Sequence, residues 1–187
     1  MKTTNLFIVL MLLLASCTSV HFIDPQPASL DELDVIPEKF QGTFYRASWN
    51  DTTIYVVTES SVSENDEKFY SIDSNLIVKG YGNSLYLNSM SIYGYECRLI
   101  TIVDYLDYEN IVVKVADIPN NFDNMEEITD FNQLGLFKNL KYSILNEKGE
   151  EVSDLEDFQY MVVEDINMNQ LHSFFNHQPE YKLTRVK

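Results

Sequence analysis

The chain is expected to fold as a mainly β protein: an antiparallel β-sandwich or barrel of about ten strands with one short C-terminal helix. Three observations lead there. Short runs rich in β-branched and aromatic residues recur from Phe40 to Val186, separated by turn-forming residues. Several of these runs alternate with period two, the mark of a strand with one buried face. Only one stretch, Met168 to Asn176, carries a clear apolar stripe at helical spacing.

Phe40 to Ala47 and Thr52 to Thr58 are both β-rich, and Asn50-Asp51 between them reads as a hairpin turn. Ser60 to Asp66 reads as a polar loop. Phe69 to Ile72 and Leu76 to Lys79 are short strands. Gly80-Tyr81-Gly82-Asn83 supplies the glycines a turn needs, and Ser84 to Asn88 continues as a strand. From Tyr93 to Val103 the residues Tyr93, Tyr95, Cys97, Leu99 and Thr101 share one face. Asp107 to Asn110 turns the chain, and Ile111 to Ile118 returns with Ile111, Val113 and Val115 on one side and Lys114 opposite. Pro119 to Asn139 reads as irregular chain with one or two helical turns. Tyr142 to Asn146 and Phe158 to Val163 form a second hairpin. Asn167 or Asp165 caps the helix at Met168, where Leu171, Phe174 and Phe175 stand at i, i+3 and i+4. Tyr181 to Val186 is the last strand.

Ahead of this domain lies an address. Met1 to Asn5 is polar with one lysine, Leu6 to Leu14 is an unbroken apolar run, and Leu14-Ala15-Ser16-Cys17 closes it. The run is about half the roughly 20 residues a membrane-spanning helix needs. Its length and flanks are those of a signal peptide. The four residues ending at Cys17 resemble the lipobox of bacterial lipoproteins. That resemblance implies cleavage before Cys17 and acylation of Cys17. It also implies a lipid-anchored place in the cell envelope, and Thr18 directly after the cysteine points to the outer membrane. Two or more acyl chains anchor stably where one binds marginally. The organisation expected is a signal peptide over 1–16, a lipidated N-terminus and tether over 17–37, and a single antiparallel domain over 38–187. Pro25, Pro27 and Pro37 keep the tether extended, to at most ~70 Å for its roughly 20 residues. Leu30, Leu33, Val35 and Ile36 offer an alternative in which the segment packs on the domain.

The formal charge is −16, which repels nucleic acid and anionic lipid headgroups. A nucleic-acid partner is therefore excluded, and the membrane partner is reached through the anchor. With Cys17 acylated, Cys97 has no second thiol in the chain and is expected to be buried and reduced. Gly82-Asn83-Ser84-Leu85-Tyr86 lacks the second glycine of a nucleophile elbow and sits in a hairpin. His21, His172 and His177 lack zinc-site spacing, and Asp104, Asp107 and Glu109 lack the order of a calcium loop. No metal, no cofactor and no catalytic group is expected. Aromatics make up 13% of the chain, enough for tyrosines on a sheet face to form a binding platform.

Pro37 to Tyr45 is similar to the first lipocalin motif, in which Gly-x-Trp opens the first barrel strand; here Gly42 is followed by Phe44 in place of the tryptophan. The late helix followed by a last strand resembles the lipocalin C-terminal arrangement. Val78 to Asn88 also resembles a strand pair of uncharacterised bacterial lipoproteins. The expected function is a non-catalytic binding or structural module of the envelope. The alternative implied by the lipocalin likeness is a carrier of a fatty acid or other small apolar ligand. The two differ in the interior, with Phe40, Phe44, Tyr95, Leu99, Ile111 and Val113 as the candidate inner face. Short strands and the missing tryptophan favour an interior filled by side chains.

Overall fold

Alternating side chains and tight turns translate into twelve strands in the computed structural model. It describes residues 19–47, 52–66, 68–72, 74–90, 98–116, 141–146, 148–152, 160–176, 178 and 180–186. The strands are β1 (Ser19–Phe22), β2 (Gly42–Ala47), β3 (Thr52–Val57), β4 (Ser61–Glu64), β5 (Lys68–Ser71) and β6 (Leu76–Tyr81). They continue with β7 (Ser84–Met90), β8 (Arg98–Tyr105), β9 (Asn110–Val115), β10 (Lys141–Leu145), β11 (Tyr160–Asp165) and β12 (Glu180–Arg185). One helix, α1 (Met168–Phe175), lies between β11 and β12. The mainly β class with a short C-terminal helix is therefore as the sequence predicts. All ladders are antiparallel except β1 with β11.

Nine strands make one meander in the order β5-β4-β3-β2-β12-β9-β8-β7-β6. The last strand, β12, joins its two halves by pairing β2 at Thr184 and Arg185 and β9 from Glu180 to Thr184. The free ends, β5 and β6, are consecutive in the chain, but no ladder joins them, so the sheet is not closed. It is nevertheless curled. Val62 and Tyr70 from one end share an apolar cluster with Leu76 and Val78 from the other.

β8 is the branch point. Along one edge it pairs β7 from Arg98 to Asp104. Along the other, Thr101 to Tyr105 pair β9, while Arg98 and Leu99 pair β1. Strands β1, β11 and β10 thus extend from the foot of β8. They place a second core on the outer face of β7 and β8, where α1 covers Tyr86, Ile100 and Ile102 with Leu171, Phe174 and Phe175. The helix begins at a reciprocal capping box: Asn167 accepts from Gln170 N–H, and the Gln170 side chain accepts from Asn167 N–H.

Residues 17–37 were expected as a tether, and the described part of them is woven into the sheet. In β1, Val20, His21 and Phe22 are buried. Gln26 is clamped by Asn88, whose amide accepts from Gln26 N–H at 2.7 Å and donates to Gln26 C=O at 2.8 Å. Lys79 Nζ donates to Pro27 C=O. Leu33 N–H then reaches Val78 on β6, and Ile36 N–H reaches Glu59 in the turn between β3 and β4, so the segment ties the free strand β6 to the opposite half of the meander. The reason is apolar spacing: Val20, Phe22, Leu33 and Ile36 stand far enough apart to reach separate hydrophobic sites. Leu30, Leu33 and Ile36 pack as the alternative reading had it, whereas Val35 is exposed. The domain thus begins at β1, ahead of Glu38. A second difference is β4, which lies in the stretch expected to be a polar loop. The expected signal peptide over 1–16, Cys17, Cys97, Tyr93, Tyr95, His177 and the segment Pro119 to Asn139 lie outside the described residues.

Candidate apolar cavity

The inner face of the meander follows from register. Phe44 faces Tyr55, Val57 faces Val62, Val103 faces Leu85 and Val113, and Ile111 faces Leu183. These residues point to one side, and most of them are apolar. Between them lies a cavity of about 320 Å³, at the small end of the ~300–1,000 Å³ typical of ligand pockets. The expectation of a filled interior does not hold. Much of the inner wall is valine, at Val57, Val62, Val103, Val113 and Val115, and side chains that short do not meet across a curled sheet of nine strands. Of the six residues expected on the inner face, Phe40, Leu99, Ile111 and Val113 line the cavity and Phe44 is buried in the same cluster.

One end is shut. A 3-10 turn at Glu38–Phe40 places Phe40 edge-on to Tyr105, with ring centroids 6.0 Å apart. Lys39 Nζ ties this turn to the β6–β7 hairpin through Gly82 C=O and Asn83 Oδ1, both at 3.1 Å. Arg185 secures it from β12. Its guanidinium lies 4.6 Å from the Phe44 ring centre and 4.8 Å from that of Tyr108. It donates to the carbonyls of Lys39, Gln41 and Tyr108. Gly42 is required here. Its φ is +135°, and a Cβ would run into that guanidinium.

The other end is polar. Glu64, Ser89 and Thr101 belong to the lining there, and Tyr55 stands across from Glu64 in register. Burial raises the Tyr55 hydroxyl pKa, and the Glu64 charge raises it further. Arg46 is at the same end with its guanidinium 5.0 Å from the Tyr181 ring centre. The cavity is thus apolar at the shut end and hydrogen-bonding at the open one.

The other singled-out residues serve the fold. Ser84 Oγ donates to Asp104, whose second oxygen lies 3.7 Å from Lys114 Nζ, and Lys114 also pairs with Glu180 at 3.0 Å. Tyr86 and His172 stack and share a hydrogen bond of 2.7 Å, pinning α1 to β7. Burial pushes the Tyr86 hydroxyl up to about 12, with Asp104 adding to the shift, so it stays protonated. The Asn110 side chain, with the N–H groups of Glu109 and Asn110, holds the Asp107 carboxyl below its usual range while closing the β8–β9 turn. His21 is buried in β1. Sequence reasoning did not single out Val57, Val62, Leu85 or Leu183 as cavity residues, although the period-two rule marks each within its strand. Arg185 carried no such signal.

The chain matches no protein-family model, no curated protein and no solved structure.

Proposed function

We propose that this chain is a lipid-anchored, non-catalytic binding domain of the cell envelope, acting as a lipocalin-like carrier of a small apolar ligand. The observation that carries the proposal is the 320 Å³ apolar cavity, shut at one end and hydrogen-bonding at the other. It moves the carrier ahead of the filled structural module. The signal-like N-terminus and the lipobox at Cys17 support the anchor and an outer-membrane address. No helix among the described residues is long and apolar enough to cross a membrane. The attachment proposed is through Cys17.

The test titrates residues 18–187, which contain every described element, with fluorescent single-chain amphiphiles. Saturable one-to-one binding is expected. Val113→Phe puts a ring into the cavity and is expected to weaken binding by about tenfold or more, ~1.4 kcal/mol per decade. Absence of binding, or binding indifferent to Val113→Phe, removes the carrier reading.

A further inference from the structure

We infer that the cavity holds the apolar tail of an amphiphile in a fixed direction, terminal methyl toward Phe40 and polar head toward Glu64. This rests on the carrier reading and adds ligand polarity and direction to it. Leu85 lies near the shut end and Ser89 near the open one, four residues apart on β7, which is ~14 Å along a strand.

Direction comes from where the polar groups stand. The shut end offers only carbon to a ligand, from Phe40, Leu85, Ile111 and Leu183. The backbone carbonyls behind it are already taken by Arg185 and Lys39. A polar head placed there would lose its water and gain no partner, which costs several times what a buried methylene contributes. The open end is lined by the polar side chains of Ser89, Thr101 and Glu64, with Arg46 close by.

The experiment uses residues 18–187 with the single tryptophan removed by Trp49→Phe and a reporter introduced by Phe40→Trp. The probes are two long-chain alcohols, one brominated at the terminal carbon and one beside the hydroxyl. Bromine quenches an indole only on close approach. The terminal bromine is expected to quench the Phe40→Trp reporter several-fold more strongly than the head-side bromine. Equal or reversed quenching overturns the direction. Tyr105→Trp reads the same end should Phe40→Trp not fold. If neither alcohol displaces a bound fluorescent chain, the failure belongs to the carrier reading rather than to the direction.

Discussion

Asn88→Leu is the sharpest test of how the N-terminal segment is joined to the sheet. Asn88 is fully buried on the outer face of β7, and its amide satisfies both the N–H and the C=O of Gln26. Gln26 is itself 3% exposed, so water does not replace those partners. Leucine keeps the volume and removes both bonds. Each buried backbone group left without a partner costs ~1–3 kcal/mol, so the pair puts the loss at roughly 2–6 kcal/mol. That is a large share of the ~5–15 kcal/mol that holds a domain folded. Urea unfolding of residues 18–187 measures it, with an unchanged slope if the transition stays two-state. Limited proteolysis across residues 23–31 reports whether the strap lifts. A loss below ~1 kcal/mol refutes the argument. So would faster cutting of the strap with no shift in the midpoint, because the segment would then be laid on the fold rather than part of it.

Two further predictions concern His21 and Cys17. Burial lowers the His21 pKa from 6.5 to about 4, so the unfolded chain binds the proton more readily. Stability from this residue is complete above pH 6.5 and falls as the pH drops toward 4, by about 3 kcal/mol in all. His21→Phe should flatten that window in pH-dependent urea midpoints, and an unchanged slope would show that another group carries the acid sensitivity. Cys17→Ser should leave an unprocessed precursor that takes up no labelled palmitate, and normal labelling would end the anchor assignment.

The meander was legible because its strands carry their own evidence. Ile111, Val113 and Val115 alternate with Val112 and Lys114, and Leu171, Phe174 and Phe175 mark one face of a helix. β4 was not legible: Ser61-Val62-Ser63-Glu64 has a single apolar residue, and only its neighbours β3 and β5 make Val62 an inner-wall residue. β1 was hidden by the prolines that follow it. Its four residues become a strand only by fitting between β8 and β11, which are distant in sequence. The cavity was least legible. Which residues face inward follows from period two, but whether they meet depends on how many strands the curled sheet contains. That was decided by β12 pairing β2, a contact between the two ends of the domain.

The position of β1 also limits how far the domain could stand from the anchor proposed at Cys17. Ser19 is already paired with Tyr160 in the sheet, and two residues span at most ~7 Å. Under that proposal the domain would ride on the bilayer surface instead of swinging on a ~70 Å leash. Its encounters would become two-dimensional. An amphiphile leaving the lipid layer would meet the cavity at a local concentration set by the membrane plane rather than by the surrounding volume. The same closeness would restrict the domain to partners that come to that surface, because it would have no slack with which to reach across a compartment.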